Sequence, residues 1–223
     1  MQQRDIKAVL FDLDGTLLDT VHDLHAAATG MLDELQLPPV SIEAIRSYVG
    51  RGIPNLVKRI LAGGLAGADD PSPPPAVALA AFRRHYALCN GRAAVAYPGV
   101  VAGLQALRAR SLPLAVITNK ASAFTVPLLD RTGLAGYFDV VVSGDTLPLN
   151  KPEPMPLIWA CGRLGVSPAD ALMIGDSVND FQAARAAKSS VFLVPYGYNE
   201  GQDVRSLACD AIVETIEAAA RLI

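Results

Sequence analysis

The sequence predicts an α/β protein whose doubly wound parallel sheet is interrupted, after its first strand, by an all-helical cap domain. From about residue 93 onward, short apolar runs with strand character alternate with helical segments, which is typical of a Rossmann-like sheet covered by helices on both faces. Between residues 19 and 92 only helical periodicity and loop signals occur. We therefore assign residues 1–18 and 93–223 to the α/β core and residues 19–92 to the cap.

The composition indicates a folded protein of 223 residues, with 51% apolar and 18% charged residues. A net charge of −3 without a basic cluster gives no electrostatic support for binding nucleic acid. We see no signal peptide, no apolar run of membrane-spanning length, and three distant cysteines that fit reduced thiols. We expect a cytoplasmic protein that binds neither membrane nor nucleic acid, and the sequence leaves open whether it is a monomer or a dimer.

The first strand is predicted at residues 7–11 and ends in two carboxylates, Asp12 and Asp14. Side chains two apart on a strand share a face, so both carboxylates can converge on one point. Two carboxylates this close require a cation between them or a shared proton. One could act as a nucleophile and the other as a proton shuttle, and both could contact Mg²⁺. Gly15 allows the sharp turn that follows.

Four helices are predicted in the cap. Apolar residues at helical spacing from Leu24 to Leu35 indicate the first, and Ser41 is placed to cap a second that runs to Tyr48. Residues 53–61 and 77–89 carry the other two, and residues 63–75 between them, rich in Gly, Asp and Pro, predict a loop. His22 and His25 lie one turn apart, and we expect exposed or hinge histidines rather than a metal pair.

The core is predicted to continue with alternating helices and strands. One helix requires comment, because Pro127 lies inside the helical pattern of residues 121–132 and is expected to mark its first regular turn. The predicted strands are residues 112–118, 139–143, 171–175, 191–194 and 211–213, and the predicted helices are 98–110, 121–132, 152–164, 178–187 and 214–222.

Polar residues recur where these strands end. Because ligands bind beyond the carboxyl ends of parallel strands, we expect these side chains to meet at one edge of the sheet. A strand-end Thr-Asn is usually a helix cap, a lone Lys is usually solvated, and an Asp after Gly is usually part of a turn, so no single element is specific. The full set is specific: Asp12, Asp14, Thr118, Asn119, Lys151, Asp176 and Asp180.

This set predicts phosphoryl transfer through a carboxylate nucleophile. The transition state spreads negative charge over the phosphoryl oxygens, so fixed donors and cations are needed. Thr118 and Asn119 can donate to those oxygens, and Lys151 adds a positive charge beside the nucleophile.

Carboxylates are also the ligands that Mg²⁺ prefers. We expect Asp12, Asp14 and Asp176 to bind the ion. Asp180 lies one helical turn after Asp176, so we place it behind the ligands, where it acts on the metal through them or through water.

These residues resemble the four motifs of the haloacid-dehalogenase superfamily, in order and over essentially the whole chain. The resemblance implies Asp12 as nucleophile, Asp14 as general acid and base, and Mg²⁺ as cofactor. Four further stretches, residues 49–52, 118–120, 151–157 and 195–201, look like those of the bacterial phosphoglycolate phosphatase family. One departure is Lys188, where such proteins usually have Gly after a helix; the Pro-rich loop at residues 71–75 is another.

The second resemblance implies a Mg²⁺-dependent phosphomonoesterase that hydrolyses 2-phosphoglycolate through an aspartyl phosphate. Arg51 is then the cap residue expected to bind the substrate carboxylate, since a guanidinium can do so with two hydrogen bonds. The main alternative is a phosphatase of another small metabolite, such as N-acetylmuramic acid 6-phosphate. Asp14 argues against a dehalogenase, a phosphomutase is only weakly excluded, and the helical insert is unexpected in a signalling receiver module. A non-catalytic binding protein would bind its ligand tightly without turnover.

Overall fold

The computed structural model describes residues 5–68 and 72–223. Six of its strands form one parallel sheet: β1 (Ala8–Phe11), β4 (Leu114–Ile117), β5 (Val140–Val142), β6 (Ala171–Gly175), β7 (Ser190–Leu193) and β8 (Ala211–Ile212). Their order across the sheet is β5-β4-β1-β6-β7-β8, and every neighbouring pair is parallel. β1, the strand directly before Asp12, therefore lies in the middle of the sheet.

The α-helices lie in the cap and between the strands of the core. The cap contains α1 (Val21–Glu34), α2 (Ile42–Tyr48), α3 (Gly52–Ala62) and α4 (Ala76–Cys89). The core contains α5 (Val100–Ala109), α6 (Ser122–Arg131), α7 (Met155–Leu164), α8 (Val178–Ala187) and α9 (Ile216–Leu222). The predicted fold class, a parallel sheet with an inserted helical cap, is confirmed. No helix in the described ranges is long and apolar enough to span a bilayer.

Alternation along β1 explains why helices cover both faces of the sheet. Val9 and Phe11 belong to one apolar cluster, with residues of α5 and α9, whereas Leu10 belongs to another, with residues of α7 and α8. All three side chains are fully buried. A strand buried on both faces consists of consecutive apolar residues, which is why the sequence pattern here is continuous rather than alternating.

The cap has an apolar cluster of its own. Its helices α1 and α4 pack together, and the cluster also includes Phe124 and Tyr198 from the core. Ser41 caps α2 as predicted, because its hydroxyl accepts a hydrogen bond from the Ala44 N–H at 3.2 Å. The domain boundaries at residues 18/19 and 92/93 stay predictions. The loop predicted at residues 63–75 includes residues 69–71, which lie outside the described part, and Leu65–Ala68 forms a 3₁₀ turn.

Three details differ from or extend the sequence expectations. Strands β2 (Leu18–Asp19) and β3 (Val95–Ala96) form an antiparallel ribbon where the chain leaves and re-enters the core; two residues each are too few to give a periodic signal. Helix α6 begins at Ser122, so the expectation that Pro127 marks its first regular turn is wrong. A proline there removes one backbone donor, and the burial of neighbouring apolar residues of α6 offsets that loss. Lys188 ends α8 with a φ of 63°, in the left-handed position where Gly is usual.

Candidate active site

A cavity lies between the cap and the carboxyl ends of β1, β4 and β6. Its core wall includes Asp12, Asp14, Thr118, Lys120 and Lys151. The cap closes it with the loop before α3 and with apolar side chains from α1 and α3. Most of the polar side chains that the sequence placed at strand ends therefore line this partly apolar space, whereas Asp176 and Asp180 are outside its lining.

The turn after β1 passes close to Asp176, the carboxylate that follows β6. Gly15 has a φ of +90°, and a Cβ at this position would collide with the carboxylate of Asp176. The Thr16 hydroxyl donates to Asp176 Oδ1 at 2.8 Å, and the Tyr198 N–H donates to Asp176 Oδ2. Glycine is required here both for the positive φ and for the close approach of β6.

Asp12, Asp176 and Asp180 form an acidic group in which one carboxylate oxygen from each lies within 4.8 Å of the others. Burial raises the pKa of Asp12 to about 7, and the nearby charge of Asp180 adds to this effect while Lys151 opposes it. Burial, together with Asp12 and Asp180, also raises the pKa of Asp176 well above its ordinary value. Buried carboxylates this close favour a cation, and hard oxygen donors suit a divalent metal ion.

Asp180 is fully buried, and protein donors surround its carboxylate. Oδ2 accepts hydrogen bonds from the N–H groups of Asp176 and Ser177 and from the Ser177 hydroxyl, and Oδ1 accepts one from Lys151 at 2.7 Å. These contacts fix the start of α8 and hold Lys151 in place. That Asp180 lies behind the metal ligands stays a prediction.

The ammonium group of Lys151 lies 2.7 Å from both Asp12 Oδ1 and Asp180 Oδ1. Burial disfavours its charge, but the two carboxylates outweigh burial and raise the pKa of Lys151. The ammonium group therefore stays charged beside the predicted nucleophile, as expected from the sequence.

The structure does not bring the Asp14 carboxylate into the acidic group. Asp14 Oδ1 accepts a hydrogen bond from the Thr20 hydroxyl at 2.7 Å, and both of its oxygens contact the Lys120 ammonium at 2.9 and 3.0 Å. The side chain lines the cavity, where an acid or base would have to be. Its predicted contact with the metal stays a prediction.

Thr118 and Asn119 differ in what they can offer a phosphate. The Thr118 side chain lines the cavity, and its oxygen accepts from the Lys120 N–H, which leaves its hydroxyl hydrogen for a ligand. The Asn119 amide instead donates to Gly50 O at 3.1 Å and to Lys151 O at 2.9 Å. Both amide hydrogens are thus used to join the cap loop to the Lys151 loop, so the predicted donation from this amide to phosphate is not supported.

Arg51 does not line the cavity in this structure. Its side chain is 44% exposed and forms an ion pair with Glu200, with Nε 3.2 Å from Oε1. The prediction that Arg51 meets the substrate carboxylate therefore has no support from its position. His22 is exposed, and His25 is partly buried with Nε2 3.0 Å from Val40 O; that they do not form a metal pair stays a prediction.

Sequence reasoning missed two features of the site. Lys120 is 5% exposed and lines the cavity, although the sequence signalled it only as the residue after Thr118 and Asn119. Arg59 is 1% exposed and pairs with Glu200 at 2.7 Å across the boundary between cap and core. The sequence signal that could have indicated Arg59 is a cationic residue on the apolar, buried face of the amphipathic helix α3.

Comparison with known proteins identifies the family. The model of haloacid dehalogenase-like hydrolases matches residues 6–188. The chain belongs to this family. It is 55% identical to a phosphoglycolate phosphatase of Nitrosospira multiformis over 98% of this chain and 96% of that one, and 51% identical to a phosphoglycolate phosphatase of Thiobacillus denitrificans with the same coverage. The resemblance drawn from the motifs is therefore confirmed.

Solved structures agree with this result. A crystal structure of a predicted phosphoglycolate phosphatase from Haemophilus somnus superimposes with a TM-score of 0.88 over 99% of each chain, at 29% identity. One of a putative phosphoglycolate phosphatase from Lactobacillus delbrueckii gives 0.86 at 28% identity, over 97% of this chain and 98% of that one. The fold of these proteins is thus reproduced along nearly the whole chain.

Proposed function

We propose that this hydrolase is a Mg²⁺-dependent phosphomonoesterase that converts 2-phosphoglycolate to glycolate and phosphate. The observation that carries the proposal is the placement of Asp12 and Lys151, 2.7 Å apart, beside two further buried carboxylates at the end of the central strand. Such a site joins a nucleophile, a fixed cation and a metal-binding group in one place. The curated relatives support the same class of reaction and substrate.

Asp12 is the nucleophile of the proposed reaction. Its carboxylate oxygen attacks phosphorus, the bond from phosphorus to the ester oxygen breaks, and an aspartyl phosphate forms. Asp14 gives a proton to the departing alkoxide and then takes one from the water that hydrolyses the aspartyl phosphate. Both transfers take place in the cavity that the two side chains line.

Charge on the phosphoryl oxygens is balanced from two sides. Lys151 and the Thr118 hydroxyl face the cavity and supply a cation and a donor. On the other side, Asp12 and Asp176 would hold Mg²⁺, with Asp14 as a further predicted ligand and Asp180 behind them. The ion would neutralise negative charge that develops at the phosphoryl group.

The cap covers the polar floor of the cavity with apolar side chains. Leu24, Val49, Ile53 and Leu56 form an apolar roof over the polar floor. A dry site strengthens the electrostatic contacts of the phosphate and protects the aspartyl phosphate from premature attack by water. A small leaving group suits a site that is covered in this way.

The test is turnover of purified protein on 2-phosphoglycolate, sugar phosphates including N-acetylmuramic acid 6-phosphate, and p-nitrophenyl phosphate, before and after removal of metal with EDTA. We expect the highest kcat/KM on 2-phosphoglycolate, loss of activity in EDTA and recovery with Mg²⁺. Asp12→Asn keeps the size of the side chain and removes its charge, so its rate should fall by far more than tenfold, whereas the exposed Asp33→Asn should not change it. A preference for a sugar phosphate would overturn the substrate, and full activity without metal would overturn the cofactor.

A further inference from the structure

We infer that Lys120, and not Arg51, is the residue that recognises the carboxylate of the leaving group. This inference rests on the proposed function, because it assigns a residue to the substrate named there. Lys120 follows β4 and its side chain is 3% exposed, whereas that of Arg51 is 44% exposed. Of the described residues that line the cavity, Lys120 and Lys151 are the cations.

The two lysines lie at different parts of the site, Lys151 beside the nucleophile and Lys120 beside the leaving group. Lys151 is held between Asp12 and Asp180, on the side where phosphorus is attacked. Lys120 is held against Asp14, with its Nζ 2.9 and 3.0 Å from the two carboxylate oxygens. Since Asp14 must reach the departing oxygen to protonate it, Lys120 lies at the leaving-group end.

The chemistry of the substrate places its carboxylate beside this lysine. In 2-phosphoglycolate one methylene group separates the ester oxygen from the carboxylate carbon, so the negative charge lies within a few ångströms of the atom that Asp14 protonates. A cation that contacts Asp14 is therefore also within reach of that carboxylate. An alkyl leaving group would bring no charge to the same point.

The cap holds Lys120 at this point through Tyr86 of α4. The Tyr86 hydroxyl accepts a hydrogen bond from Lys120 Nζ at 2.5 Å, and the same ammonium lies 4.9 Å from the centre of the Tyr86 ring. Tyr86 is fully buried and packs against Phe82 and Phe124. The ammonium is thus fixed and shielded from water, which strengthens its attraction for an anion.

An ammonium has three hydrogens, of which Tyr86 takes one and the two oxygens of Asp14 take the others. One hydrogen bond is enough to keep Lys120 paired with Asp14. The hydrogen bond to the other Asp14 oxygen can pass to the substrate carboxylate. Lys120, Asp14 and Tyr86 then all keep a hydrogen-bond partner. Arg51 would first have to leave Glu200 and move from the surface into the cavity.

The experiment compares 2-phosphoglycolate with ethyl phosphate, which has a methyl group where the carboxylate would be. We measure kcat/KM for both substrates and take their ratio, so that any general damage to Asp14 cancels. Lys120→Met should lower this ratio ten- to a hundredfold, the effect of losing a charge-assisted hydrogen bond. Lys120→Arg keeps the charge and should retain most of the ratio, and Arg51→Met should leave it unchanged.

A ratio that falls less than about threefold in Lys120→Met overturns the inference and shows that Lys120 serves only Asp14. A fall in Arg51→Met instead returns the role to Arg51. If Lys120→Met does not fold, Lys120→Gln gives the same comparison, because its amide can still donate to Asp14. The wild-type protein is assayed first on 2-phosphoglycolate. If it does not hydrolyse this substrate, the proposed function fails, and the variants are compared only if it does.

Discussion

Replacing Glu200 should cost far more stability than its place on a surface loop suggests. Its carboxylate lies 2.7 Å from Arg59 Nη2, and the Arg59 side chain is 2% exposed. In Glu200→Ala the buried guanidinium keeps the carbonyl of Tyr48, at 2.8 Å, as a neutral partner but loses its anion. Breaking a buried ion pair by removing one partner costs about 3–5 kcal/mol. We take about 3 kcal/mol, the lower end of this range, because Glu200 itself is 10% exposed.

Arg51→Ala is the matched control, because Arg51 contacts the same carboxylate from the exposed side, with Nε 3.2 Å from Oε1. An exposed pair of this kind contributes at most about 1 kcal/mol. Urea unfolding followed by circular dichroism gives the free energy of unfolding of both variants. For a chain of this size, 3 kcal/mol corresponds to a fall of about 6–12 °C in Tm. Equal, small losses in Glu200→Ala and Arg51→Ala would refute the reasoning.

Three further predictions concern the site. Asp14→Asn should lower kcat more than tenfold on an alkyl ester, because the departing alkoxide loses its proton donor; steady-state kinetics check this, and an unchanged kcat contradicts it. Asp176→Ala should raise the Mg²⁺ concentration needed for half-maximal activity, whereas Asp33→Ala should not; equal requirements would exclude Asp176 as a ligand. Since burial raises the pKa of Asp12 to about 7, its contribution to stability is complete below the ordinary Asp pKa of about 4 and is lost as pH rises through 7. Metal-free protein should therefore have a lower Tm at pH 8 than at pH 5.5, with a larger gain from Mg²⁺ at pH 8, as differential scanning fluorimetry can show; a gain that is larger at pH 5.5 contradicts it.

The sequence by itself determined the features that depend on neighbours along the chain. The apolar run of β1, the Ser41 cap and the order of strand-end polar residues are local patterns, and each predicted its element to within a few residues. Parallel strands then bring their carboxyl ends to one edge, so the meeting of Asp12, Lys151 and Asp176 followed from topology.

Only the tertiary structure decided what each side chain contacts. Asp14 turns to Lys120, which is 106 residues away in the chain, and Arg59 of the cap finds Glu200 of the core 141 residues away. The Asn119 amide joins the loop before α3 to the loop of Lys151. Such pairings depend on how the cap packs on the core and on which rotamers burial allows, and no local pattern of residues encodes either. The order of the strand-end residues therefore predicted most of the polar groups at this edge of the sheet, whereas the packing of the cap brought Lys120 to the cavity and left Arg51 outside it.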